Sequence, residues 1–381
     1  MSSLKGINTI SVHAGEDDID IDVTPPIHLS STFRILGDGQ KHIYSRISNP
    51  TRDVLEAKLA ALEGGRYALA FSSGMAAIST ILLSILRPGD KAVFTSDLYG
   101  GTKQLLNNIL PRFGFKPIYV DTRDLEKVSE VIDGAKILYL ETPTNPLMWI
   151  SDIRELSKMI HEQDGYLIVD NTFASPYIQR PLTLGADVSI HSATKYLSGH
   201  SDIIAGAAVF MDDDLYREAL TFRSRLGTHL PPFDSYLLIR SIKTLGVRME
   251  RHCRNAYELA RWLDDHEKVG DVLYPFLDSF PQYGLARRQM SCGGGMISFY
   301  LYRDEQEAVD RFLNNLEIIT KGVSLGGVES LIQQPYTMTH SSIPEEEKVG
   351  IGITRGLIRF SVGIEDVEDL MRDLDNALSK I

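Results

Sequence analysis

Only two cysteines occur in the 381 residues, Cys253 and Cys292, far apart in the chain. That excludes a disulfide framework and the clustered spacing of a metal site, so both are expected as reduced thiols. Basic residues are also short: 39 Lys and Arg against 51 Asp and Glu leave a net charge of −12. With no Lys- or Arg-rich run, a nucleic-acid partner is not expected. The acidic balance is that of a soluble, cytoplasmic protein. Apolar runs such as residues 81–85 are much too short to span a bilayer, so no membrane partner is expected either. The opening Met1-Ser2-Ser3-Leu4-Lys5-Gly6 lacks the basic-then-apolar order of a signal peptide. No Gly-x-Gly-x-x-Gly follows a strand-like segment, and no Walker lysine motif occurs. Gly350-Ile351-Gly352 with Gly356 has the wrong spacing and sits late in the chain, which leaves a nicotinamide-dependent dehydrogenase without support.

What is present is an ordinary globular composition, 43% hydrophobic and 24% charged, in a chain long enough for two domains. Residues 1–50 carry turn material (Thr24-Pro25-Pro26, Gly37-Asp38-Gly39) and do not read as self-contained; this arm is expected to pack against a neighbouring subunit. From Thr51, taken as a helix N-cap, helices with apolar faces alternate with short apolar strands at 92–94, 117–120, 137–140, 166–169, 188–190 and 205–210. Such alternation predicts an α/β domain with a mostly parallel sheet over 51–243. A smaller α/β domain is expected over 244–381. Ligands of such sheets bind beyond the strands' carboxyl ends, which directs attention to Tyr99, Glu141, Asn145, Asp170, Ser192 and Lys195.

Three signals in that domain belong together. Ser72-Ser73-Gly74-Met75 precedes a helix, and free backbone N–H groups at a helix N-terminus can hold a phosphate; a plain N-cap is the simpler reading of that turn alone. Asp170 follows an apolar strand, where an acid can ligate metal, bind ribose, cap a helix or pair with a pyridine nitrogen. Ser192-Ala193-Thr194-Lys195 follows another strand, and a lysine there is either a solvated surface group or a carbonyl-binding amine. Phosphate turn, strand-end acid and Ser-x-Thr-Lys in this order form the layout of pyridoxal 5'-phosphate (PLP) enzymes with the aspartate-aminotransferase-like fold, fold type I.

The chain resembles the Cys/Met-metabolism PLP enzymes: methionine γ-lyase, cystathionine γ-lyase, cystathionine γ-synthase and relatives. The carrying motifs are Tyr44-Ser45-Arg46-Ile47-Ser48-Asn49-Pro50-Thr51, Glu141-Thr142-Pro143-Thr144-Asn145-Pro146, Val169-Asp170-Asn171-Thr172, Ser192-Ala193-Thr194-Lys195-Tyr196 and Arg359-Phe360-Ser361-Val362-Gly363. The resemblance implies that Lys195 carries PLP as a Schiff base and shuttles protons, and that Asp170 pairs with the ring nitrogen. It implies that Tyr99 stacks on the ring and protonates the leaving group. The N–H groups of Gly74 and Met75, with Ser192 and Thr194, would hold the phosphate, and Tyr44 and Arg46 would reach the neighbouring subunit's phosphate. Asn145 would lie near the ring oxygen, Glu141 would either touch ligand or support the site, and Arg359 and Ser324 would bind the substrate α-carboxylate.

The reaction these residues imply is γ-elimination on a small sulfur amino acid, giving a 2-oxo acid, ammonia and a thiol. Val323, just before Ser324, and the stretch Met338-Thr339-His340-Ser341-Ser342 look like methionine γ-lyases; many cystathionine enzymes carry glutamate at the Val323 position. Gly101 departs from the cysteine that methionine γ-lyases usually carry there. Methionine is therefore placed ahead of cystathionine, and γ-replacement on an activated homoserine is the alternative. A non-catalytic PLP-binding regulator is the reading from another class; the intact Lys195, Asp170 and Arg359 speak against it. The family implies a homotetramer built from catalytic dimers.

Overall fold

Asn49, not Thr51, opens the first long helix. Its side chain accepts from the Thr51 N–H at 3.0 Å, and Pro50 takes the first helical position of Pro50–Glu63, where its missing N–H costs nothing. Thr51 instead ties down the incoming chain: its hydroxyl donates to the Pro26 carbonyl at 2.8 Å and accepts from the His28 N–H at 2.9 Å. The helix ends at Gly64, whose φ of 73° is the left-handed conformation glycine adopts without strain.

The computed structural model describes residues 4–17, 21–341 and 344–381. Met1, Ser2 and Ser3 of the opening segment, and Ser342 of the Met338–Ser342 stretch, lie outside them. The chain divides into two compact units: Met1–Glu141 with Ser151–Gly246, and Thr142–Ile150 with Val247–Ile381.

The first unit is built on seven strands: β1 (Tyr67–Phe71), β2 (Lys91–Thr95), β3 (Pro117–Val120), β4 (Ala135–Glu141), β5 (Tyr166–Asp170), β6 (Val188–His191) and β7 (Gly206–Phe210). Their order across the sheet is β1-β7-β6-β5-β4-β2-β3. All pairs from β6 to β3 are parallel; β7 runs antiparallel to both β6 and β1. Ile137, Leu138, Leu140, Leu167, Ile168 and Val169 are fully buried, as the unbroken apolar runs of a sheet covered on both faces require. Between β2 and β3 the chain forms a short helical turn, Gly100–Gln104, that widens into a π-helical turn, Leu105–Ile109, and closes as 3-10, Leu110–Phe113.

The second unit carries β8 (Val269–Leu273), β9 (Met296–Leu301), β10 (Thr320–Lys321), β11 (Leu331–Gln333) and β12 (Leu357–Ser361), in the order β10-β11-β12-β9-β8. Only the β10–β11 pair is parallel. Helix Val367–Leu378 lays Leu370, Leu374, Ala377 and Leu378 into one core with Phe299, Ile358 and Phe360.

Cys253 and Cys292 form a disulfide, with Cα atoms 6.3 Å apart, rather than two reduced thiols. The cause is tertiary. Tyr274 Oη lies 3.4 Å from the Cys253 carbonyl and 2.9 Å from that of Gly294, pinning helix Leu245–Asp264 to the turn that enters β9. Among the described residues no helix is long and apolar enough to cross a membrane.

Candidate active site

The carboxyl ends of β1, β5 and β6 place three of the expected groups together. Beyond β1, the Ser73 side chain caps helix Gly74–Ile85, accepting from the Ala76 N–H at 3.0 Å. Gly74 and Met75 open the helix, so their N–H groups have no intrahelical acceptor. A Cβ on Gly74 would stand 2.8 Å from Ser192 Cβ, and one on Gly206 would stand 2.1 Å from the Ser73 carbonyl oxygen. The turn after β1, the loop after β6 and the start of β7 therefore form one cradle, closed to any side chain at these two glycines.

Asp170 ends β5 and is buried. Thr172 turns back on it: its N–H and hydroxyl donate to Asp170 Oδ1 at 3.1 and 2.6 Å. The Tyr139 hydroxyl donates to Oδ2 at 3.4 Å. Burial still pushes the Asp170 carboxyl above its ordinary range, while Thr172, His191 and Tyr139 pull it back. The Tyr139 phenol, fully buried beside two acids, is pushed well up and stays a neutral donor. Thr172 Oγ1 also accepts from the Ser192 N–H at 2.8 Å, which couples the acid to the cradle.

Lys195 lies in the loop after β6, partly buried; its N–H donates to the Ser192 carbonyl at 3.2 Å and its carbonyl accepts from Gly199 at 2.7 Å. As placed, Thr194 ties this loop to the start of β7: its hydroxyl donates to the Ala205 carbonyl at 3.2 Å and accepts from the Ala205 N–H at 3.0 Å. The backbone N–H of Tyr99 donates to Glu141 Oε2 at 2.8 Å, so Glu141 positions Tyr99 and does not point outward as a free acid. The Tyr99 ring, partly exposed, lies beside Gly101 and Met75: a Cβ on Gly101 would be 2.5 Å from Tyr99 Cε1 and 3.2 Å from Met75 Sδ.

Tyr44 and Arg46 are held with each other. The guanidinium sits over the Tyr44 ring, 5.4 Å from its centre, and donates to the Ser224 carbonyl at 2.6 Å.

In the second unit, β12 presents Arg359, only 3% exposed. Its guanidinium donates to Asn145 Oδ1 at 2.9 Å and to the Ser324 carbonyl at 2.8 Å. Asn145, expected near a ring oxygen, here orients the arginine. Ser324 has φ of 92°, a left-handed backbone that turns its carbonyl onto Arg359, and Val323 beside it is 58% exposed. Gln333 pairs with Arg359 in the strand register, and its amide oxygen, turned towards the guanidinium, lies 3.1–3.2 Å from its nitrogens. Thr172 stands in the motif Val169-Asp170-Asn171-Thr172, two residues after the strand-end acid, but the motif alone gives it no role; nothing in the sequence marks Gln333.

These residues fit PLP. The cradle offers backbone donors at a helix N-terminus with glycine clearance for a phosphate. Asp170, disfavoured as a buried anion, suits a cationic ring nitrogen, and a lysine follows the neighbouring strand.

The profile of the family described as Cys/Met metabolism PLP-dependent enzyme matches residues 8–379. An L-methionine gamma-lyase of Pseudomonas deceptionensis is 44% identical, covering 98% of this chain and 97% of its own. A cystathionine beta-lyase of Coxiella burnetii is 46% identical, covering 98% and 97%. The crystal structure of cystathionine gamma-lyase from Lactobacillus plantarum complexed with L-serine superposes with a TM-score of 0.95 at 41% identity, over 99% of both chains.

Proposed function

The chain belongs to the Cys/Met-metabolism PLP-dependent enzymes, fold type I carbon–sulfur lyases, and we propose that within them it catalyses γ-elimination on L-methionine, with cystathionine as the next substrate. With one water consumed, the products are 2-oxobutyrate, ammonia and methanethiol. When bound, PLP supplies an electron sink for negative charge developing next to the substrate's amino group. The residues supply the rest. Arg359, fixed by Asn145 and the Ser324 carbonyl, receives the α-carboxylate on its planar fork. Lys195 Nζ takes the α proton and returns it. Asp170 holds the ring nitrogen. The Tyr99 hydroxyl hands a proton to the departing sulfur, its main chain steadied by Glu141.

Val323 carries the preference for methionine. It is an exposed apolar side chain one residue from the carbonyl that orients Arg359. Such a side chain suits a thioether methyl better than the distal charged groups of cystathionine. Gly101 favours the opposite order, because the cysteine usual in methionine γ-lyases would collide with Tyr99 as placed here. The deciding experiment incubates the PLP-loaded protein separately with L-methionine and L-cystathionine, with Lys195→Ala as control. Methanethiol and 2-oxobutyrate from methionine support the reading. Activity on cystathionine alone refutes the methionine preference, and pyruvate would mean β-elimination. If neither reacts, an activated homoserine ester with cysteine tests γ-replacement.

We further propose that the active form pairs two copies through the N-terminal arm, within a homotetramer. Ile21, Val23, Leu29, Ile35 and Leu36 are largely exposed in the single chain. An apolar row of this kind in water suits a second copy of the chain as its cover. Tyr44 and Arg46 close the same arm and would serve the phosphate of the partner's cofactor.

A further inference from the structure

Glu63 is the last residue of helix Pro50–Glu63 and is 1% exposed. A carboxylate at that place is doubly disfavoured: it leaves water, and it faces the negative end of the helix dipole. Burial of this kind adds little to stability even when paired. Yet its Oε1 collects three donors: Asn171 Nδ2 at 3.0 Å, Ser189 Oγ at 3.0 Å, and His191 Nε2 in a short contact. All three sit on the two strand ends that frame Asp170. Asn171 follows Asp170 directly, and His191 follows Ile190, which pairs with Asp170 in register. Asn171 is fixed further by Gln179, through bonds of 2.8 and 3.0 Å, and by its own N–H to the Ile190 carbonyl at 2.8 Å.

The titratable groups facing this assembly come from three elements. Tyr139 on β4 donates to Asp170, His191 on β6 follows the residue paired with Asp170 in register, and Glu63 on the helix contacts His191. To donate to Glu63, His191 must carry its proton on Nε2. The carboxylate holds it there and sets the plane of the ring.

We propose that Glu63 is a positioning residue which, through His191 and Asn171, keeps Asp170 oriented and ionised for its pairing with the ring nitrogen of PLP. The chain of influence is helix end to imidazole to carboxylate to cofactor. Glu63 touches neither cofactor nor substrate, so its loss acts on the cofactor's electronic state and retention before it acts on any particular substrate.

The inference rests on Asp170 as the ring-nitrogen partner, and the test separates the two. Holoenzymes of the wild type, Glu63→Gln and Asp170→Asn are titrated with pH while the visible absorption of the cofactor is followed. PLP affinity is measured by reconstitution, and Tm is recorded for each. Glu63→Gln keeps size and acceptor but removes the charge that holds the Nε2 proton. The expected result is a displaced absorption titration and PLP affinity weakened roughly tenfold to a hundredfold, the scale on which outer hydrogen-bonding partners act. A Glu63→Gln protein whose titration and affinity overlay the wild type, with only Tm lowered, overturns the proposal. Should Asp170→Asn also behave as wild type, the Asp170 assignment falls instead. If Glu63→Gln does not fold, His191→Asn, which can still donate to Glu63 but carries no charge, is read by the same two measurements. An unchanged titration in that variant likewise refutes the proposal.

Discussion

Replacing Arg359 with lysine tests the carboxylate fork without removing the charge. In the structure the guanidinium is almost fully buried and already makes two bonds, 2.9 Å to Asn145 Oδ1 and 2.8 Å to the Ser324 carbonyl. Together with the Gln333 amide oxygen, 3.1–3.2 Å from its nitrogens, these fix the plane that a ligand carboxylate would meet. A lysine ammonium is a single centre on a flexible stem and cannot hold both anchors and both carboxylate oxygens. Losing one charge-assisted bond to the substrate costs about 1.5–3 kcal/mol. That is roughly a 10- to 150-fold fall in kcat/KM, carried mainly by KM because the carboxylate is held in ground and transition states alike. Initial rates of 2-oxo acid formation against substrate concentration measure this. The cofactor absorption and PLP affinity should be those of the wild type. A kcat/KM within threefold of wild type in a folded protein would refute the assignment; lost PLP binding would mean that Arg359 serves the cofactor.

Gly101→Ala brings a methyl group to 2.5 Å from Tyr99 Cε1 and forces the ring to shift; kcat should fall about tenfold, a fraction of the roughly 10²- to 10⁴-fold that a positioned general acid contributes, with PLP affinity retained. Arg46→Ala should raise the PLP dissociation constant roughly tenfold by removing one charged contact; unchanged affinity would place Arg46 in structure alone. Burial lowers the His252 pKa from 6.5 to about 4. Between those values the unfolded chain binds the proton and the folded one does not, so stability falls as pH drops from 6.5 towards 4. The full loss is about 3 kcal/mol, and denaturant melts at several pH values should show this slope in the wild type but not in His252→Gln. Ser73→Ala removes the cap of helix Gly74–Ile85 and should lower stability by about 1 kcal/mol, seen as a lower Tm.

The parts legible in the sequence are those written locally. Strands 117–120, 137–140 and 166–169 are unbroken apolar runs, and each reappears as β3, β4 or β5 within a few residues. Tyr67–Phe71 escaped because Tyr-Ala-Leu-Ala-Phe is rich in alanine, a helix former, and becomes a strand only by pairing with Gly206–Phe210. Val269–Leu273 contains Gly270 and Asp271, both poor strand residues. At the site, the order of Gly74, Asp170 and Lys195 could be read along the chain. Nothing marks Glu63 there as other than a solvated helix end, nor Gln333 as a neighbour of Arg359. Glu63 meets its partners across more than a hundred residues, Gln333 reaches Arg359 only by strand pairing, and Cys253 meets Cys292 across 39 residues.

The reversed strand β7 sets when during synthesis the cofactor can be captured. It lies between β1 and β6, and Gly206 presses against Ser73 while pairing with Phe71. The helix proposed to offer its N–H groups to a phosphate is thus backed by residues emerging from the ribosome about 130 positions later. Until β7 enters the sheet, a growing chain has the phosphate turn without its floor and the lysine loop without its return. With the site as proposed, tight PLP binding is expected to report a completed sheet in the first unit. A chain halted before residue 206 should bind the cofactor poorly, although Gly74, Asp170 and Lys195 have all been made.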